Sequence, residues 1–303
     1  MEINEKTEAS ADKKQTGNSM LGALLIVAAG MCWGTSGTIQ ALAPQGATPL
    51  SVGSVRICFA ALLLLAGALF RGWRRIFRRR WRPRGVLVAA LGFTLYQYAF
   101  FSAVKLSGVA VGTMVAIGAA PAIAGVLGLL LYQERLSGRW LAATALAVAG
   151  CSLLVVKVSG NIGAVSIPGA ILALCAALAY TCVGAGLRIM RSRDPIDAIS
   201  IVVIVSGLMG LPYFAFGSAA WVLEPRGAIC ALLLACVTTI VPYCLFAKGV
   251  QLVTMGRAYT LALSEPMTAC VLSFCLLGEK LTLPGIAGVL LIFSGILLLA
   301  KES

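Results

Sequence analysis

The sequence predicts an all-α polytopic membrane protein: ten transmembrane helices in a 5+5 inverted-topology repeat. Three observations lead there. Charged residues make up 12% of the 303-residue chain and hydrophobic residues 60%, and the mean hydropathy is +0.96. A soluble chain carries about 25% charged residues, so this one could not cover a water-facing surface of its size. The apolar residues run in solid blocks of about twenty, enough for a helix to cross a ~30 Å hydrocarbon core. A transmembrane β-barrel would need alternating polarity instead. The third observation is that the chain resembles itself when shifted by 145 residues.

Residues 1–19 are polar and mixed in charge, which suggests a disordered cytoplasmic tail; no small-residue cleavage site comes after a basic lead, so it is not a signal peptide. The first half, residues 20–157, holds apolar spans at 20–42, 49–70, 84–105, 110–132 and 138–157. The second half, residues 165–300, holds spans at 165–190, 196–217, 227–249, 256–277 and 283–300. Turn residues punctuate them, as in Ala43-Pro44-Gln45-Gly46, Ser159-Gly160-Asn161, Asp194-Pro195 and Glu224-Pro225-Arg226-Gly227. No linker is long enough to hold a soluble domain.

Orientation is set by the basic residues. With the N-terminus in the cytoplasm, nineteen Lys and Arg fall on that side and four outside, namely Lys105, Lys157, Arg226 and Lys280. Eight of the nineteen are the arginines from Arg71 to Arg84. This asymmetry is the positive-inside pattern of a bacterial inner (plasma) membrane protein with both termini cytoplasmic. It also accounts for the net charge of +13 without nucleic acid, since no domain remains to bind it.

The ten cysteines fall inside apolar blocks and form no CxxC pair, and histidine is absent. No metal, cofactor or catalytic residue is therefore expected. No GxxxxGK[ST] is present to bind ATP.

In the self-comparison Tyr98 falls on Tyr243, Phe101 on Phe246, Pro121 on Pro266 and Leu127 on Leu272. Glu134-Arg135-Leu136 falls on Glu279-Lys280-Leu281, and Gly150 on Gly295. A unit of five helices is odd, so its second copy enters the membrane from the opposite side. Inverted repeats of this kind recur in secondary transporters, whose halves exchange inward-open and outward-open shapes around a central site.

Gly256–Leu299 reads GRAYTLALSEPMTACVLSFCLLGEKLTLPGIAGVLLIFSGILLL. It resembles the signature half of EamA-type proteins of the drug/metabolite transporter superfamily. The first copy is looser, with Ala120-Pro121 for Glu265-Pro266 and Gln133-Glu134-Arg135-Leu136 for Gly278-Glu279-Lys280-Leu281. Trp33-Gly34, and Arg56 with Ala60, Ala61 and leucines after it, also look like that family. The resemblance implies ten helices, a 5+5 inverted repeat and a central pathway for small polar metabolites. Similar bacterial members include amino-acid exporters, among them the aromatic amino-acid exporter group. The expected partners are a small-molecule substrate and membrane lipid, with the protein a monomer. Carriers of phosphorylated or nucleotide-linked sugars, and a non-transporting sensor or structural protein, remain alternatives.

The candidate substrate-binding residues are Glu265, Trp33, Tyr98, Tyr180, Tyr243, Lys248 and Arg56. Glu265 lies about 13 Å into its span, where a carboxylate must be paired, hydrated or protonated. It would bind a substrate ammonium or a proton, or else serve as a structural acid. Arg56 and Lys248 could each take a substrate carboxylate, Arg with two parallel hydrogen bonds; snorkelling toward the interface fits both equally. Trp33, Tyr98, Tyr180 and Tyr243 fall away from the span ends, so they are expected to line a cavity rather than the headgroup belt. Pro121 and Pro266 are expected as paired hinges. Glu134 and Glu279 read as helix-end partners of Arg135 and Lys280.

Overall fold

A computed structural model describes residues 2–70, 80–159, 166–216, 219–277 and 282–300. The 71–79 part of the arginine run and Glu279-Lys280-Leu281 lie outside the described residues. Among those described, every regular element is helical, and nine helices are long and apolar enough to cross a membrane. A tenth apolar helix is shorter, with its apolar stretch at Gly138–Leu154.

In chain order, α1 runs Glu2–Gly34 and resumes as Ser36–Ala41. Helix α2 is Pro49–Phe70. Helices α3 (Pro83–Gly108) and α4 (Gly112–Tyr132) are one helical run interrupted at Gly108, whose φ of 79° and ψ of 160° suit glycine. Helix α5 is Gly138–Ser159, α6 Ile167–Ile189 and α7 Pro195–Phe216. Helix α8 is Pro225–Ala235, a π turn at Cys236–Ile240, then Val241–Gly249. Helix α9 comes in two pieces, Met255–Leu261 and Ser264–Leu277, and α10 is Leu283–Ala300.

The polar segment expected to be a tail is described as a helical continuation of the first span, Glu2–Gly34. Its composition allows this, since Glu, Lys and Ala are good helix formers. Local chemistry sets other boundaries. Asp194 Oδ1 accepts from the Ile196 and Asp197 amides and caps α7. Helix α4 ends in a left-handed Gln133 (φ 55°), with Gln133 N–H on the Leu129 carbonyl and Glu134 N–H on that of Gly128.

Small residues bring the helices together. A β-carbon on Gly150 of α5 would come to 2.6 Å from the Gly288 carbonyl oxygen and 2.9 Å from the Ile292 nitrogen. One on Gly295 of α10 would come to 2.7 Å from the Ala143 carbonyl oxygen and 3.3 Å from the Ala147 Cβ. Gly288 and Ile292 are the residues to which Ala143 and Ala147 correspond at the repeat offset. The α5–α10 contact is therefore self-complementary about a pseudo-twofold axis, as an inverted repeat requires. Helix α3 packs antiparallel on α6 (Gly92 on the Ala179 carbonyl, Gly85 on Gly186), and α1 on α8 in the same sense (Gly22 on Gly249). With no hydrophobic force between helices in lipid, such close backbone approach supplies the packing. Outward faces carry exposed Leu130, Ile167, Ile171, Leu283 and Leu290, an apolar surface suited to lipid. The chain is a multi-pass membrane protein.

Candidate functional site

Two irregularities in the helices set the centre of the bundle. Helix α9 breaks at Ala262 and Leu263, which leaves Glu265 in the first turn of its second piece with Pro266 beside it. Proline is tolerated there because a first-turn N–H has no helical partner to lose. Helix α1 presents a Gly30-x-x-x-Gly34 face to that break. A β-carbon on Gly34 would come to 2.7 Å from the Glu265 carbonyl oxygen, and one on Gly30 to 3.0 Å from that of Ala262. Ser264 Oγ donates to the Val27 carbonyl at 3.1 Å across the same contact. Trp33, next to Gly34, is thereby held against the centre. The second irregularity is the π turn of α8, a feature frequent at functional sites, which precedes Tyr243 by three residues.

Around these sits an aromatic cluster. The Trp33 ring lies 5.0 Å from Tyr243, 5.6 Å from Phe246 and 6.1 Å from Tyr180. Tyr243 meets Phe93 at 4.6 Å, and Tyr180 meets Tyr96 at 5.4 Å and Tyr259 at 4.8 Å. Tyr259 is committed to structure: its hydroxyl donates to the Tyr180 carbonyl at 2.8 Å and accepts from the Gly184 amide at 3.1 Å. The buried Tyr180 hydroxyl has no hydrogen-bond partner, and neither does Arg56 Nε. Glu265 lies within electrostatic reach of Arg56, Tyr96, Tyr180 and Tyr243. The centre thus offers one carboxylate, one guanidinium, phenol hydroxyls and aromatic faces, contributed by α1, α2, α3, α6, α8 and α9. Such a set can hold a small solute with an ammonium, a carboxylate and an apolar body.

Of the candidate residues, Trp33, Tyr180 and Tyr243 are in ring contact here, Glu265 lies within electrostatic reach of both tyrosines, and Arg56 within reach of Tyr243. Tyr98 and Lys248 lie elsewhere. Tyr98 lines an apolar groove of about 620 Å³ between α3 and α6, with Leu91, Leu95 and Leu178. Its neighbour Tyr96 takes the inward position. The repeat mates Tyr98 and Tyr243 thus have different surroundings, and a π turn precedes Tyr243 in α8 while α3 carries none before Gly108. Lys248 is exposed in the last turn of α8, within electrostatic reach of Cys244. The paired hinge is also one-sided, because Pro121 is buried in an unbroken stretch of α4. Glu134 pairs with Arg188 of α6 rather than with Arg135. Phe93 and Tyr96 were accessible in sequence only as aromatics three residues apart, one helical face. Among the described residues no three His, Cys, Asp or Glu side chains gather as a metal site would need.

The profile of the EamA-like transporter family matches the chain twice, over residues 20–156 and 167–301. The chain belongs to the EamA-like transporter family. Among relatives of this EamA-like protein, the uncharacterized transporter YwfM of Bacillus subtilis is 35% identical over 280 residues, covering 91% of this chain and 93% of that one. A probable amino-acid metabolite efflux pump of Escherichia coli is 27% identical over 293 residues, covering 90% and 92%. Its namesake in Salmonella typhimurium is 26% identical with the same coverage. A crystal structure of a protein 18% identical in sequence superposes with a TM-score of 0.79, covering 91% of this chain and 95% of that one, so the two share a fold. The EamA-like chain is a membrane transporter.

Proposed function

We propose that this transporter exports amino acids or similar small zwitterions across a bacterial inner membrane, as a secondary carrier with both termini in the cytoplasm. Glu265 takes the substrate ammonium, Arg56 its carboxylate, and Trp33, Tyr96, Tyr180 and Tyr243 surround its side chain. The observation that carries this reading is the opposed Glu265 and Arg56 within reach of one aromatic cluster. A zwitterion has charges of both signs on one carbon, so a site with one of each recognises it, whereas a phosphorylated or nucleotide-linked solute calls for several cations. The efflux-pump relatives support the substrate class and the direction. The nineteen-to-four split of basic residues supports the orientation.

The test is counterflow in proteoliposomes across a panel of amino acids, their decarboxylated amines, their deaminated acids, sugars and nucleotides. Saturable exchange of the zwitterions, with both single-charge analogues weak, is the expected result. Preferential exchange of a sugar phosphate or nucleotide would overturn the assignment.

A further inference from the structure

Glu134 closes the α4–α5 turn, in a place the transport site does not use. Its side chain and that of Arg188 are 11% and 12% exposed, and they form an ion pair. Its second oxygen accepts from the Met255 amide at 2.7 Å. Arg188 also donates through Nε to the Val250 carbonyl at 2.8 Å and through Nη2 to the Val253 carbonyl. The guanidinium lies 5.2 Å from the Tyr132 ring centre, and the Tyr132 hydroxyl donates to the Ala185 carbonyl at 2.8 Å. Gly128 has no room for a β-carbon, which would meet the Glu134 carboxylate and stand 3.2 Å from the Met255 Cβ.

What this cluster joins matters more than its strength. The aromatic centre lies between two antiparallel helix pairs, α1 with α8 and α3 with α6. Arg188 ends α6, and its carbonyl acceptors lie in the turn after α8. The cluster therefore ties one pair to the other. It does so on the face that carries the start of the apolar part of α1 and the end of α10, since Arg257 donates to Ser19 Oγ and to the Leu299 carbonyl, both at 2.7 Å. On the opposite face, among the described residues, two hydrogen bonds run within the pairs. Ser107 Oγ of α3 donates to the Ser166 carbonyl at the start of α6, and Arg226 of α8 donates to the Leu42 carbonyl at the end of α1. At the repeat offset Arg188 corresponds to Ala43, so the first half carries no copy of this cation.

We infer that Glu134 and Arg188 form a one-sided latch that holds the two helix pairs together at the face of the termini, so that the resting transporter opens toward the opposite face. Opening toward the termini requires the guanidinium to leave the Val250 and Val253 carbonyls. A symmetric repeat would favour both openings equally; an ion pair found, among the described residues, in one copy alone biases the equilibrium. The latch deepens the transport reading, but its test needs no substrate and is independent of the solute carried.

The experiment uses double electron–electron resonance on the full chain in proteoliposomes, in a background where the native cysteines, all unpaired, are replaced. One label pair replaces Arg191 and Thr254 at the face of the termini; the other replaces Gln45 and Lys105 at the opposite face, all four being exposed. Glu134→Gln and Arg188→Gln are expected to lengthen the first distance and shorten the second, with the populations shifted roughly tenfold or more. Arg188→Lys keeps the charge without the fork and should fall between; it also serves if either amide variant fails to fold. Unchanged distributions at both faces would overturn the latch. So would lengthening at both faces together, which would make the cluster a general staple.

Discussion

Replacing Glu265 by glutamine separates a substrate-binding carboxylate from a structural one. The substitution keeps the shape of the side chain and one carbonyl acceptor while removing the negative charge. As a structural acid, Glu265 sits in the first turn of Ser264–Leu277. A carboxylate there gains about 0.3–1 kcal/mol from the helix dipole, so the amide should cost folding no more than that. As the partner of a substrate ammonium in a half-buried site, it makes a charge-assisted hydrogen bond of about 1.5–3 kcal/mol. At ~1.4 kcal/mol per factor of ten, its loss weakens zwitterion binding roughly ten- to hundredfold. The two effects differ in size and in readout. Counterflow titrated with substrate should show the apparent affinity falling by that factor. The thermal midpoint of the purified protein should move by a few degrees at most. Wild-type affinity in Glu265→Gln would refute the reasoning and leave the acid as a half-helix cap. Loss of folding together with loss of transport would refute it as well, because the helix-dipole contribution is too small to cause it.

The packing and the topology carry expectations of their own. Gly150→Ala and Gly295→Ala place a β-carbon against repeat-related carbonyls, so each should destabilise by about 1–3 kcal/mol in denaturant or thermal unfolding. Gly37→Ala, with nothing within 4 Å of the added carbon, should be neutral or better. Tyr259→Phe removes the hydroxyl that bridges the Tyr180 carbonyl and the Gly184 amide, at about 0.5–1.5 kcal/mol, and should lower the melting temperature without shifting the substrate preference. Cysteines at the exposed positions of Arg135 and Arg226 should react with impermeant thiol reagents from opposite sides of the membrane in a cysteine-free background. Reaction of both from one side would contradict the proposed topology.

Composition and hydropathy alone determined that this chain crosses a membrane as helices. The physical reason is solvation: with one charged residue in eight there is no way to satisfy a water-facing surface, and with blocks of twenty apolar residues there is one obvious way to satisfy lipid. The repeat was equally legible, because Glu-Arg-Leu against Glu-Lys-Leu and Gly150 against Gly295 keep their spacing, and an odd helix count forces inversion. The deep position of Glu265 also came from counting along its span. Which faces turn inward could not be counted in that way. Tyr98 and Tyr243 correspond in sequence, yet Tyr243, which follows a π turn absent from α3, joins the centre while Tyr98 lines an outer groove. Pro121 and Pro266 correspond too, yet only Pro266 adjoins a break, where α1 offers two glycines against the exposed backbone. The partner of Glu134 lay 54 residues away rather than next door. Periodicity reports the polarity of a face, and lipid-facing and cavity-facing helices are both apolar. Only the packing of small residues, set by which backbones can approach, decides the rotation of each helix and hence which side chains meet.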